Sequence, residues 1–148
     1  MADFYIAPAL EADSPAIKAL IHQVGINPFS LDWQRFRVAK TFESGQLIGC
    51  GQLKPHGDGN VEMASIAVVA AWRRKGVASA IIRKLMAEGP RPLYLTCIAA
   101  NGPFYGKFGF RIVTGAELPK YFRRVSRLAG LVNAFSMMQQ KMLVMRLD

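Results

Sequence analysis

Trp72-Arg73-Arg74-Lys75-Gly76-Val77-Ala78-Ser79 stands where a strand hands over to a helix. Before it runs Val61-Glu62-Met63-Ala64-Ser65-Ile66-Ala67-Val68-Val69, whose apolar content predicts a buried strand. After it, Val77, Ile81, Ile82, Leu85 and Met86 recur at helical spacing until Gly89-Pro90 stops the helix. A glycine at such a junction lets the backbone come close to a ligand, and the first-turn N–H groups of a helix have no intrahelical partner. Together with the helix dipole and the cations Arg73, Arg74 and Lys75, they suit an anion, a di- or polyphosphate, over residues 73–79. The same run of residues also occurs in ordinary basic turns. It is neither a Gly-x-x-x-x-Gly-Lys-Ser/Thr loop nor a Gly-x-Gly-x-x-Gly turn.

The 148 residues suffice for one domain with a real core but not for two. With 51% apolar residues the chain is not a disordered one. No run reaches the length of a membrane span, and Met1-Ala2-Asp3-Phe4-Tyr5 lacks the basic and apolar regions of a secretion signal. Cys50 and Cys97 are too few and too isolated for a disulfide framework, which points to a reducing, cytoplasmic setting. His22 and His56 lie in unrelated contexts, so no metal is expected. The net charge of +9 is unevenly spread: residues 1–62 carry five Lys/Arg against seven Asp/Glu, and residues 63–148 carry fourteen against three. Such a second half suits a polyanionic ligand or partner. Without interleaved stacking aromatics or a known reader motif, nucleic acid is not expected.

Along the chain, Phe4–Leu10 reads as a first strand. Asp13 or Ser14 caps a helix with Pro15 in its first turn and Ile17, Leu20, Ile21 and Val24 on its buried stripe. Ser30 is the candidate cap of a short turn over 31–33. Strands follow at 36–42 and 46–53, joined around Ser44-Gly45, and then at 61–69. Beyond the helix at 76–88 come a densely apolar strand at 92–98, a short helix at 101–108, and strands at 110–113 and 142–147.

Arg73-Arg74-Lys75-Gly76-Val77-Ala78 resembles the Arg/Gln-x-x-Gly-x-Gly/Ala signature of the GCN5-related N-acetyltransferases, with Ala78 at its last position. Asn101-Gly102-Pro103-Phe104-Tyr105-Gly106-Lys107-Phe108-Gly109-Phe110 is similar to that family's Phe-Tyr-x-x-x-Gly-Phe block. The resemblance implies a single α/β domain with the acyl-CoA N-acyltransferase fold: a mixed central sheet, a splay between its two middle strands, and helices on both faces. It implies acetyl-CoA as donor, held at Arg73, Arg74, Lys75, Gly76, Val77, Ala78 and Ser79. The pantetheine would pair with the backbone of Ile66, Ala67 and Val68, its thioester arm in the gap between strands 61–69 and 92–98. The acceptor would be a primary amine of a protein or a small molecule, acetylated directly in a ternary complex. A non-catalytic acyl-CoA-binding module is the other reading, and homodimerisation is left open.

Acetyl transfer requires a neutral amine and a proton for the departing thiolate. A phenol can supply that proton, and the resemblance gives the role to Tyr105. Composition alone reads Phe104, Tyr105 and Phe108 as a core aromatic cluster. Glu62, the only acid in its apolar strand, is placed like the base of the histone-acetylating branch; it could equally be an exposed glutamate at a strand start. Asn101 could touch the coenzyme or cap the short helix. It precedes Tyr105 by four positions, where the family often has about seven. Cys97 has no histidine near it in sequence.

The 115–140 segment is longer than the loop that usually joins the last two strands of this fold. Leu118, Phe122, Val125, Ala129 and Val132 repeat at helical spacing, and Lys120, Arg123, Arg124 and Arg127 fill another face. A solvated basic face and a lid that favours acidic acceptors are both consistent with that pattern.

Overall fold

The computed structural model describes residues 3–136 and 141–148, which divide into two compact units. Among the described residues, seven strands form a mixed, mostly antiparallel sheet.

Residues 1–54 and 63–89 make the first unit. Strand β1 (Phe4–Pro8) pairs antiparallel with β2 (Phe36–Thr41), and β2 with β3 (Leu47–Pro55). The β2–β3 hairpin turns at Gly45, whose φ of +70° is the left-handed conformation glycine adopts freely. Helix α1 (Ser14–Val24) places Ile17, Leu20 and Ile21 against Phe36, Val38, Cys50 and Ala67. Its cap differs from expectation. A short turn over Glu11–Asp13 runs straight into α1, and Asp13 accepts from Leu10 N at 2.8 Å and pairs with Lys40 at 3.0 Å instead of capping the first turn. Asp32, not Ser30, caps the turn over Trp33–Arg35, accepting from Gln34 N at 3.1 Å.

Helix α2 (Val77–Glu88) covers the opposite face of the first unit with Val77, Ile81, Ile82 and Leu85. Two glycines of β3 let it sit close. A Cβ at Gly49 would meet Val77 Cγ1 at 2.9 Å, and one at Gly51 would meet Ile81 Cγ2 at 2.8 Å. Strand β4 (Val61–Val68) runs toward the turn that opens α2.

The second unit comprises residues 55–62 and 90–148. Strand β5 (Leu93–Ile98) pairs antiparallel with β7 (Met142–Leu147) from Leu93↔Leu147 to Ile98↔Met142, and β6 (Arg111–Val113) pairs with β7. The head of β4 belongs here. Within this unit Glu62 pairs in parallel with Tyr94. Helix α3 (Gly102–Gly106) is short, and helix α4 (Lys120–Ser136) forms most of the insertion between β6 and β7. Phe122 anchors α4 against Tyr94, Val113 and Val144. The expected stripe holds at Leu118, Phe122 and Val125; Ala129 and Val132 lie outside the described side chains.

Candidate active site

A turn over Ala70–Trp72 delivers the chain to the basic loop, where Arg74 (φ +63°) and Gly76 (φ +82°) are both left-handed. Alternation of this kind turns successive N–H groups toward one side, the geometry of an anion-binding nest. Gly76 is the N-cap of α2 and contributes no side-chain cap, so Val77, Ala78 and Ser79 open the helix without one. Arg73, Arg74, Lys75 and Gly76 are exposed, and among the described residues nothing beyond its chain neighbours lies within 4 Å of where a Cβ of Gly76 would stand. Arg73 Nε donates to Val68 O at 3.4 Å, and Lys75 Nζ lies 5.1 Å over the Trp72 ring. Ile66, Ala67 and Val68 close β4 just upstream, with Ala67 and Val68 buried. The first unit therefore brings together all the residues expected to hold the coenzyme except Asn101.

In the second unit Glu62 is buried, not exposed at a strand start. Its Oε1 lies 2.8 Å from His56 Nε2, and its Oε2 accepts from Thr96 Oγ1 at 3.1 Å. The His56 ring stacks on Tyr121 at 3.5 Å between centroids and meets Phe122 edge-on at 5.8 Å. Asp58 ties the same turn to α4, accepting from Tyr121 N at 3.2 Å. Burial pushes the Asp58 carboxyl up, but the N–H groups of Asn60 and Tyr121 outweigh it and hold the group below its usual range. Burial, then the charges of Glu62 and Asp58, raise the Tyr121 phenol.

Tyr105 sits in α3, half-buried, with Phe104 at 5.2 Å and Phe110 at 6.4 Å. Burial, and secondarily Cys97, push its phenol up to about 12, so it is protonated throughout the neutral range. Asn101 is exposed and makes no capping hydrogen bond, which removes the cap reading. Cys97 is buried against Met145 Sδ at 3.9 Å, and burial raises its thiol, as befits a core cysteine. Among the described residues no cluster of His, Cys, Asp and Glu could hold a metal, and no helix is long and apolar enough to cross a membrane.

Residues 32–112, more than half of the chain, match the family profile of the acetyltransferase (GNAT) domain. The chain belongs to the GNAT acetyltransferases. Similar solved structures include Rv2747 from Mycobacterium tuberculosis in complex with coenzyme A, at TM-score 0.72 and 22% identity, covering 97% of this chain and 98% of that one. N-acetylglutamate synthase from Neisseria gonorrhoeae, complexed with coenzyme A and N-acetyl-glutamate, aligns at TM-score 0.76 and 23% identity, covering 100% of this chain and 36% of that longer one. The ribosomal-protein-S18-alanine N-acetyltransferase from Escherichia coli aligns at TM-score 0.67 and 18% identity, covering 97% and 92%. None of the curated proteins matches the sequence. At these identities the likenesses speak for the GNAT fold.

Sequence reading missed the partners of Glu62. His56 lies six positions away across a turn, and Thr96 and Tyr121 come from β5 and α4. Only the position of Glu62, alone among apolar residues, signalled that a buried carboxylate would need such partners.

Proposed function

We propose that this GNAT chain, taken as one domain over residues 1–148, moves the acetyl group of acetyl-CoA to a primary amine by direct transfer in a ternary complex. The observation that carries the reading is the uncapped N-terminus of α2 behind two left-handed residues and three exposed cations. N–H groups, helix dipole and cations suit the coenzyme's pyrophosphate, while the backbone of Ile66, Ala67 and Val68 is assigned to the pantetheine. Asn101 is offered as a further coenzyme contact.

The amine must be neutral to attack the thioester carbonyl. Glu62 is assigned as the acceptor of its proton, with Thr96 and His56 fixing the carboxylate's orientation. As the C–N bond forms and the C–S bond breaks, the thiolate takes the proton of Tyr105 Oη. A phenol raised to about 12 carries its proton at neutral pH, donates it as charge builds on the departing sulfur, and regains one from water. The exposed cations Lys120, Arg123, Arg124 and Arg127 on α4 suit an acidic acceptor, a protein amine or a small molecule. Free Cys50 and Cys97 fit a reducing, cytoplasmic setting.

One observation favours the second reading, a non-catalytic acyl-CoA-binding module. Both oxygens of Glu62 already have partners, and Tyr105 is packed among aromatic rings. The experiment that separates the two is amine-dependent release of the coenzyme thiol from acetyl-CoA: present for the enzyme, absent for the module.

A further inference from the structure

Among the described residues, three that are not glycine have positive φ: Ser30 (+58°), Ser65 (+61°) and Arg74 (+63°). Arg74 belongs to the basic loop. The other two, far apart in sequence, are bound by one side chain. Gln52 Nε2 donates to Ser65 Oγ at 2.8 Å and to Ser30 O at 3.3 Å. Ser65 lies in the interior of β4, where a left-handed residue turns the strand as a bulge does and is costly for any residue with a Cβ. Its carbonyl also accepts from Cys50 Sγ at 3.5 Å. Ser30 lies in the loop that follows α1, beside the exposed Phe29.

Gln52 is fully buried on β3, and among the described residues its Oε1 has no hydrogen-bond partner. An amide turned the other way would set its oxygen against the Ser30 carbonyl, so the orientation is dictated by the two acceptors. A buried carbonyl left bare is destabilising, and an apolar side chain of the same volume would avoid that loss. Core packing alone therefore does not account for glutamine here. What an apolar side chain would not supply is a two-proton donor that fixes both left-handed serines at once.

We infer that Gln52 is a positioning residue: its amide clamps the turn at Ser65 in β4 to the loop at Ser30, and so presets the strand whose next three residues are assigned to the acyl donor. The functional half of this inference rests on the acetyl-transfer reading; the structural half does not. Strained backbone held by a buried polar network is the form that preorganisation takes near reacting groups, where a misplacement of about 1 Å can cost on the order of 100-fold in rate.

The test uses Gln52→Met, which keeps volume and removes both donors, alone and combined with Ser65→Gly, which adopts a positive φ without help. Hydrogen exchange of the backbone amides should quicken together at 27–32 and 63–67 in Gln52→Met, with thermal stability close to wild type. Turnover on an amine acceptor should fall on the order of 10-fold or more, with KM for acetyl-CoA moving less than kcat. Gln52→Met/Ser65→Gly should regain most of that turnover, which a mere loss of core packing would not allow. Full turnover in Gln52→Met, or a loss that Ser65→Gly does not recover, would overturn the clamp. Should Gln52→Met not fold, Ser65→Ala removes one acceptor only, and unchanged exchange and turnover there overturn the clamp equally. If the wild type turns over no amine, the enzyme reading fails by itself. The exchange comparison still decides whether one amide holds both turns: coupled loss of protection supports it, and independent behaviour overturns it.

Discussion

Tyr105 carries the sharpest residue-scale claim, because the hydroxyl can be removed without disturbing the rings around it. Tyr105→Phe should leave acetyl-CoA affinity close to wild type by calorimetry and lower turnover by roughly 10²–10⁴ if the phenol protonates the leaving thiolate. Unchanged turnover would return Tyr105 to the aromatic cluster with Phe104 and Phe110. The same phenol contributes to stability in alkali. Its folded value, about 12, lies above its ordinary value of 10.0, so the contribution is intact below about pH 10 and is lost as pH rises toward about 12. Urea midpoints measured across that window should fall more steeply for wild type than for Tyr105→Phe. Glu62→Gln keeps the size of the side chain and an oxygen for Thr96 but cannot take the amine's proton. It should lower turnover with little change in acetyl-CoA binding, and equal turnover would make Glu62 a structural link between β4, β5 and the 55–60 turn.

The elements show where sequence reading succeeds and where it stops. The run from β4 through the basic loop into α2 was legible because apolar strand, glycine and helical periodicity follow one another without interruption. The observed bounds, Val61–Val68 and Val77–Glu88, fall within a residue or so of expectation. The caps at Asp13 and Ser30 were not legible. A carboxylate or hydroxyl before a helix caps only when no nearer partner competes, and Asp13 found Leu10 N and Lys40. Ser65 in the left-handed region was invisible for the same reason: the signal for positive φ is glycine, and here a side chain elsewhere in the fold holds a serine there. Two element-scale predictions follow from exposed geometry. Gly76→Asp should keep the fold, because aspartate tolerates φ +82° better than most residues and its Cβ meets nothing within 4 Å. Its carboxylate should abolish acetyl-CoA binding by repelling phosphate at the α2 N-terminus, a change read by calorimetry. Reversing Arg123, Arg124 and Arg127 to glutamate should weaken the affinity for an acidic acceptor and leave acetyl-CoA binding nearly intact. Equal acceptor kinetics would make the basic face of α4 a solvated surface only.

For the whole molecule, the uneven charge read from the sequence has a physical location. Fourteen of the nineteen Lys/Arg follow residue 62, and three of them form the exposed loop before α2. If the cations before α2 hold a coenzyme with few phosphates, as proposed, salt should weaken acetyl-CoA binding only moderately. Catalysis of transfer, and not mere retention of the coenzyme, is the activity proposed for this GNAT chain. It is tested most directly by following release of the coenzyme thiol from acetyl-CoA, with and without a panel of amines, peptides and lysine-bearing proteins, and detecting the acetylated product by mass spectrometry. Thiol release should depend on at least one amine, be matched by an acetylated product, and be lost in Gly76→Asp. Tight acetyl-CoA binding with no amine-dependent release from any acceptor would contradict it.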